Sequence, residues 1–254
     1  MTVRRAQGRR DLDRFIKLPF RLRRNDPAWV PPLLFERRAF LDRSRNPYFE
    51  HAEAEYFLAE RDGEAVGRIS AQVDRRWDEF QGGSDGMFGF FEAEDDPEVA
   101  AGLIEAARGW VRDRGRTRLI GPMDFTTNDE CGLLVEGFDD PPIILAPWHP
   151  PHYARLLEQQ GLTKAMDLLM WELWLGSLME GDSFHEFIEE AAAKSREEHG
   201  VVVRKMRRGD LEAEIGRFMD VYNEAWGRNW GFVPVTEAEV AFQARNLKPV
   251  LSEN

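Results

Sequence analysis

The stretch GMFGFFEAEDDPEVAAGLIEAARGWVRDRGRTRLIG, residues 86–121, decides the fold that this sequence predicts. An apolar, β-prone run at 86–92 predicts a strand, and residues 117–120 predict a second one. Pro97 opens a helix between them, because its missing N–H costs nothing in a first turn. That helix carries an apolar stripe at helical spacing, formed by Val99, Leu103, Ala106, Ala107 and Trp110.

The residues before this segment predict two helices and a β-hairpin. Asp62-Gly63 separates two β-prone runs and supplies the positive φ angles of a type I′ turn. Pro19 is expected to interrupt the first helix, since a proline ring blocks an interior hydrogen bond. Strands are predicted at 3–6, 54–60 and 65–73, and helices from Arg10 and over 33–42.

The residues after this segment alternate helix and strand signals. Pro151 opens a helix that Gly161 caps, and Thr236 with Glu239 forms a capping box for another. Further strands are predicted at 167–175 and 201–206, and a further helix from Ser183 to about 198.

The order of these elements through about residue 175 resembles the GNAT acyltransferases. The resemblance is carried by residues 86–121 and by HYARLLEQQGL at 152–162, which is similar to the family's late motif Asn-x-x-Ala-x-x-Leu-Tyr-x-x-x-Gly-Phe. It implies an α/β (α+β) fold with a mixed, mostly antiparallel sheet flanked by helices. The implied activity is transfer of an acyl group from acetyl-CoA to an amine.

From Val201 the chain repeats the pattern with which it begins. VVVRKM followed by GDL echoes VRRA followed by DL near the N-terminus, and the wider chain is similar to uncharacterised bacterial proteins with two GNAT units. We predict a GNAT-like domain at 1–200 with a degenerate acyl-CoA loop, and a C-terminal partial repeat at 201–254 that opens a second, incomplete unit. We expect the helices of this repeat to lie loosely and to favour self-association.

The loop that binds acetyl-CoA in the family is acidic here. The family sequence is Gln/Arg-x-x-Gly-x-Gly/Ala, whose amides hold the pyrophosphate, whereas residues 95–100 read Asp-Asp-Pro-Glu-Val-Ala. Pro97 lacks an amide donor, and one like-charge pair at 4 Å costs roughly 4 kcal/mol at an effective dielectric of 20. We therefore expect weak or no binding of acetyl-CoA, assign no cofactor-binding residue and predict no cofactor.

No catalytic residue follows from the resemblance. Leu157 stands where many family members have a tyrosine general acid. Tyr153, one turn earlier, is a possible substitute, and a core or surface tyrosine is the alternative.

The long connection at 121–150 is the candidate site, because loops of this length are often functional. Its polar residues are interpreted either as a ligand-binding loop, with Glu130 as a base and Cys131 as a nucleophile, or as turn residues that bond their own backbone. His149 and His152 fit a ligand site, helix capping or surface positions, and two histidines alone do not predict a metal site. The predicted substrate-binding residues are Thr126, Asn128, Glu130, His149, His152 and Tyr153.

Composition narrows the class of protein. The net charge is −12, which argues against nucleic-acid binding, although residues 1–24 are basic. With one cysteine and without a signal peptide or a long apolar run, the sequence predicts a cytoplasmic protein without a membrane partner or disulfide. Two functions remain open: an N-acetyltransferase-like enzyme, or a non-catalytic GNAT-like module that binds a small polar molecule or supports a partner.

Overall fold

Five strands form one sheet in the residues that the computed structural model describes, which are 1–172, 174, 182–205, 207 and 210–247. The strands are β1 (Thr2–Arg5), β2 (Ala52–Arg61), β3 (Glu64–Asp74), β4 (Asp85–Ala93) and β5 (Arg118–Ile120). Their spatial order equals their chain order; β1 to β4 pair antiparallel, and β5 pairs parallel to β4. The predicted fold class, α/β with a mixed, mostly antiparallel sheet flanked by helices, is confirmed.

The hairpin between β2 and β3 forms as the sequence predicts. Asp62 and Gly63 both have positive φ, 53° and 82°. This conformation matches the right-handed twist of the two strands, so the turn fixes their register.

Except for a helix at Arg75–Gln81, which the sequence did not predict, the described helices begin and end near their sequence signals. They are α1 (Gly8–Leu22), α2 (Leu34–Phe40), α3 (Arg75–Gln81), α4 (Pro97–Arg112), α5 (His152–Gln159), α6 (Asp182–His199), α7 (Leu211–Trp226) and α8 (Glu237–Leu247), with a short 3-10 helix at Pro47–Glu50. The expected interruption of α1 at Pro19 is wrong, because the helix continues to Leu22. Pro19 leaves the carbonyl of Phe15 without its helical partner, and the guanidinium of Arg68 donates to that carbonyl at 2.7 Å instead.

The sheet has an apolar core on each face. On one face α4 and α5 pack against the strands, with Leu103, Ile104 and Leu156 fully buried. On the other face α1 and α2 enclose an aromatic cluster around Phe90 and Phe125. The sheet therefore separates the α4 side of the molecule from the side that α1 and α2 cover.

The chain divides into two compact units, residues 1–165 together with the described residues from 219 on, and residues 166–218. The second unit contains α6 and an ion pair in which Arg204 donates to both carboxylate oxygens of Glu214 at 2.8 Å. The predicted division into homologous units at 1–200 and 201–254 stays a prediction.

Two predicted strands do not form in the described part of the second unit. Residues 167–172, 174 and 201–205 have no strand conformation, and 173, 175 and 206 lie outside the described residues. An apolar run becomes a stable strand only when neighbouring strands bond to it and cover a face. Here the side chains at 168–171 and 201–203 are exposed.

The segment at 231–243 belongs to the first unit and is firmly held there. Four consecutive backbone carbonyls accept hydrogen bonds from side chains of that unit: Gly231 from Thr127, Phe232 from Gln81, Val233 from Asn128 and Pro234 from Arg76. The predicted capping box of Thr236 and Glu239 starts α8. The expectation of loosely lying helices is therefore wrong for this segment, because polar side chains bind its backbone.

Among the helices that the structure describes, none combines the length and the apolar character of a membrane span.

Candidate functional site

A cavity of about 400 Å³ lies on the side of the sheet that α1 and α2 cover. Its lining comes from α1, α2 and the loop between them, from β4, from the connection between β5 and α5, and from α8. The volume falls within the usual range for small-molecule sites. Sequence-distant segments therefore converge on one cavity.

Most of the cavity wall is apolar. Its buried part includes Ile16, Phe40 and Phe91. Two proline-rich loops add apolar lining residues that are also exposed to solvent: Val30, Leu33, Ile143, Ile144 and Leu145. The apolar lining thus runs from the interior to the surface of the molecule.

The polar part of the cavity is mainly acidic. Arg37 lies 3.6 Å from Asp124, 3.2 Å from Glu36 and in contact with Glu130. Burial alone would lower the pKa of Arg37, but the three carboxylates raise it above its usual value. In all, the ionic lining comprises five carboxyl groups and two guanidinium groups: Glu36, Glu92, Asp124, Asp129, Glu130, Arg37 and Arg68.

The divergence of β4 and β5 positions Asp124. The two strands pair only as far as Met87 and Ile120, after which the chain leaves the sheet. The carboxylate of Asp124 then accepts the amide N–H of Phe90 at 2.7 Å. Phe90 has φ 50°, which is unusual for a bulky residue, so the backbone holds its amide toward Asp124 at a cost in strain.

Two carboxyl groups of the cavity have perturbed pKa values. Burial, with the charge of Glu130, raises the pKa of Asp124 to about 7 against the opposing effect of Arg37. Burial also raises the pKa of Asp129 to about 8, although the Thr126 hydroxyl, which donates to Asp129 at 2.8 Å, opposes the rise. Both groups therefore change charge near neutral pH.

His149 lines the cavity as a neutral imidazole. Burial lowers its pKa to about 4. Its Nδ1 accepts the amide N–H of Leu134 at 3.3 Å, so the ring proton is on Nε2.

Glu92 and Tyr153 form a buried polar group beside the cavity. The Tyr153 hydroxyl donates to Glu92 at 2.7 Å and accepts from the amide of Ala93 at 2.9 Å. Arg23 donates to the same carboxylate at 3.0 Å. Burial raises the pKa of Tyr153 well above its ordinary value, which favours the core interpretation of this tyrosine.

The predicted substrate-binding residues are distributed over three places. Glu130 and His149 line the main cavity, whereas Thr126 and Asn128 line a much smaller neighbouring one. His152 and Tyr153 are not among the lining residues of either cavity. Their assignment as substrate-binding residues stays a prediction.

Sequence reasoning missed Arg37, Asp124 and Asp129, and also the contribution of Phe242 and Gln243. Arg37 lies in an ordinary amphipathic helix, and nothing in its local pattern indicates its partners. Asp124 and Asp129 belong to the loop that the sequence singled out, so its density of short polar residues was the available signal.

The acidic side chains of the loop before α4 bond to the loop's own backbone and to nearby arginines. Asp96 caps the helix and accepts the amide of Glu98 at 2.8 Å. Arg61 lies 2.7 Å from Asp96 and 2.8 Å from Glu98, and Arg155 pairs with Asp95. The first turn therefore uses this amide internally. Weak or absent binding of acetyl-CoA at this loop stays a prediction.

The cysteine and metal alternatives gain no support from the geometry. Burial raises the pKa of Cys131 to about 12, so its thiol stays protonated and weakly nucleophilic. In the part of the chain that the structure describes, no cluster of three or more His, Cys, Asp or Glu side chains is arranged to hold a metal ion.

Two curated proteins are similar to almost the whole chain. A bacterial ceramide synthase of Caulobacter vibrioides is 42% identical over 245 residues, which cover 96% of this chain and 62% of the relative. Protein YghO of Escherichia coli K12 is 36% identical over 252 residues, which cover 99% of this chain and 63% of that protein. The chain therefore spans about three fifths of the length of the curated relatives it matches.

No protein-family model matches the chain. Among solved structures, a mutant of TTHA1254 from Thermus thermophilus is similar with a TM-score of 0.38 and 18% identity, over 68% of this chain and 98% of the other. That score is below 0.5, so the fold assignment rests on the strand order and the helix positions described above.

Proposed function

We propose that this chain is the acceptor-binding and acyl-transferring part of a GNAT-like N-acyltransferase whose acceptor is a long-chain amine. The observation that carries the proposal is the cavity, whose apolar wall reaches the surface and whose polar end is acidic. Such a space complements a molecule with an alkyl chain at one end and an ammonium group at the other.

The apolar wall of the cavity is the reason that we propose an acceptor with a long alkyl chain. Each methylene that leaves water contributes about 0.8 kcal/mol. A short amine gains little of this free energy. The cavity therefore favours long-chain acceptors over short ones.

The acidic end of the cavity is the reason that we propose an amine as the reacting group of the acceptor. Arg37 neutralises only part of the charge of Glu36, Asp124 and Glu130. A unit charge 4 Å from one carboxylate gains roughly 4 kcal/mol at an effective dielectric of 20 before its desolvation cost. An ammonium group is thus favoured over a hydroxyl or a carboxylate at this end.

Asp124 is the group that we assign as the base. An ammonium must lose a proton before its nitrogen attacks an acyl group, and a base works best when its pKa lies near the working pH. The pKa of Asp124, raised to about 7 chiefly by burial, meets this condition. Its bond to the amide of Phe90 keeps the carboxylate in place.

The similarity to a protein named bacterial ceramide synthase supports this acceptor class. A ceramide is the amide of a fatty acid and a long-chain amino alcohol, so its synthesis joins an acyl group to such an amine. We infer the same reaction class here, with an acyl thioester as the donor. Because of Asp96 and its partners, we expect the donor's phosphates not to bind at the first turn of α4.

A second candidate function is favoured by that same acidic loop. If no donor binds, the chain is a non-catalytic module that holds the long-chain amine. The two candidates share the cavity and differ in whether an amide is formed.

Formation of the amide tests the proposal. The purified chain is incubated with palmitoyl-coenzyme A and 2-amino-1,3-octadecanediol, and the product is measured by mass spectrometry. We expect product with the wild type and a loss of about 100-fold or more in Asp124→Asn, which keeps the shape and the acceptor for Phe90 but removes the base.

Glu105→Gln is the matched control, because it makes the equivalent change at an exposed position of α4. Its rate should equal that of the wild type. Full activity of Asp124→Asn contradicts the assigned base. Binding of the amine without any amide supports the non-catalytic candidate instead.

A further inference from the structure

The hydroxyl of Tyr48 is a buried polar group that the proposed function does not use. Tyr48 is 2% exposed, and its Oη has no hydrogen-bond partner among the described residues. The ring stacks on Phe125 with centroids 4.6 Å apart, so the hydroxyl cannot swing toward solvent. A buried hydroxyl without a partner costs about 1–3 kcal/mol, which makes a missing ligand the simplest explanation.

Tyr48 is also a lining residue of a second, small cavity. Its volume is about 20 Å³, which is enough for one water molecule. Its polar lining residues include Tyr48, Thr126, Asn128, Asp129 and Glu239. A water needs two to four polar partners, and this lining supplies them.

Asp129 connects the small cavity to the main one, because it is a lining residue of both. At the other end, Glu239 lies 3.3 Å from Nε2 of His51, whose Nδ1 lies 2.8 Å from Asp74. The side chains of Glu239 and His51 are 15% and 14% exposed, so this end reaches solvent. The ionisable groups around the small cavity are therefore Asp129, Glu239, His51, Asp74 and Tyr48.

We propose that the small cavity binds a single water molecule that joins Asp129 to Tyr48 and Glu239, and that these groups form the exit for the proton released in the main cavity. This role rests on the proposed function. When an ammonium acceptor and a thioester form an amide, the nitrogen loses two protons. One ends on the released thiol, and the other must leave the acidic end of the cavity. It passes from the acidic end of the cavity to Asp129, through the water to Glu239, and out beside His51.

A high-resolution crystal structure of the full chain tests the water site without any activity. We expect a water within about 3.2 Å of Tyr48 Oη and of the Asp129 carboxyl group, and its loss in Tyr48→Phe. A small cavity without water in the wild type overturns the proposal.

Amide formation tests the role of the exit. Tyr48→Phe should lower kcat about tenfold and leave KM unchanged, because the amine still binds. Tyr56→Phe is the matched control, since Tyr56 is also buried but lines neither cavity, and its hydroxyl has a partner in the carbonyl of Leu41 at 3.1 Å. Equal kcat values for the two variants overturn the exit. If the wild type forms no amide with any long-chain amine, the proposed function and the exit fall together, and the crystal structure still decides whether the water is bound.

Discussion

At the scale of single residues, Gly89 shows how closely the site loop approaches the sheet. A Cβ atom at this position would lie 1.9 Å from the carbonyl oxygen of Met123, which is backbone and cannot move aside alone. The loop that carries Asp124 would have to shift. The glycine is therefore needed for the position of the cavity's acidic end.

We expect Gly89→Ala to destabilise the fold by about 2–4 kcal/mol and to weaken amine binding. Urea unfolding and a binding titration measure the two effects. Gly109→Ala is the matched control: in α4 its added methyl meets only Arg112 at 3.9 Å, so it should be neutral or stabilise by up to about 1 kcal/mol. Equal effects of the two substitutions would contradict the close approach.

His51 predicts a specific pH dependence of stability. Burial lowers its pKa, but bonds to Asp74 and Glu239 outweigh burial and raise it to about 9. Because the unfolded value is near 6.5, the stabilisation is complete below pH 6.5 and disappears as the pH rises to about 9.

We expect the free energy of unfolding contributed by His51 to fall by at most about 3 kcal/mol between pH 6.5 and 9. Urea unfolding of the wild type and of His51→Gln is measured at several pH values. The difference between the two free energies of unfolding gives the contribution of His51, because Asp124 and Asp129 titrate in both proteins. His185→Gln, an exposed histidine in α6, is the control. A difference that does not change with pH would refute the assignment.

At the scale of elements, the acidic loop before α4 is a helix cap. Asp96 accepts the amide of Glu98 and binds Arg61, whereas Asp95 forms an exposed pair with Arg155. Two adjacent aspartates therefore have different structural roles.

We expect Asp96→Ala to lower stability by about 1 kcal/mol, because the cap is lost. Asp95→Ala should cost less than about 0.5 kcal/mol, since exposed ion pairs contribute little. Thermal unfolding of both variants measures this. A larger loss for Asp95→Ala would show that the loop's role is misassigned.

The sequence predicted best those elements whose conformation is set by residues within the element itself. Asp62-Gly63 fixes its turn through its own φ angles, and Pro97 with Asp96 starts α4 within one turn. The described residues of the two other predicted strands, 167–172, 174 and 201–205, are not in strands, because a strand depends on distant partners. Arg37 and Asp124 were missed for the same reason, since residues 87 apart in the chain meet only in the folded molecule.

At the scale of the whole molecule, residues 231–243 complete a site whose other parts lie before residue 150. Asn128 links them, because its side chain donates to the carbonyl of Val233 at 2.8 Å and accepts from Tyr222 at 2.9 Å. Phe242 and Gln243 then line the main cavity.

We expect Asn128→Ala to lower the hydrogen-exchange protection of the amides of Val235, Thr236 and Val240 by about tenfold, since two hydrogen bonds are lost. Gln159→Ala, at an exposed position of α5, is the control. Unchanged protection would mean that Asn128 does not hold this segment.

Self-association through residues 201–254 stays a prediction. Val202, Val203 and Val221 are largely exposed, which is compatible with it. Sedimentation velocity over a range of concentrations measures the mass of the particle.

The central claim is that the main cavity binds a long-chain amine through its acidic end. Calorimetric titration of the chain with dodecylamine and with dodecanol, at pH 6 and pH 8.5, tests it most directly. Because the pKa values of Asp124 and Asp129 are raised by burial to about 7 and about 8, both carboxyl groups lose their protons over this interval. We expect dodecylamine, which stays charged, to bind about tenfold more tightly at pH 8.5, and dodecanol to bind more weakly and without pH dependence. Equal affinity for the amine and the alcohol at both pH values would contradict the account.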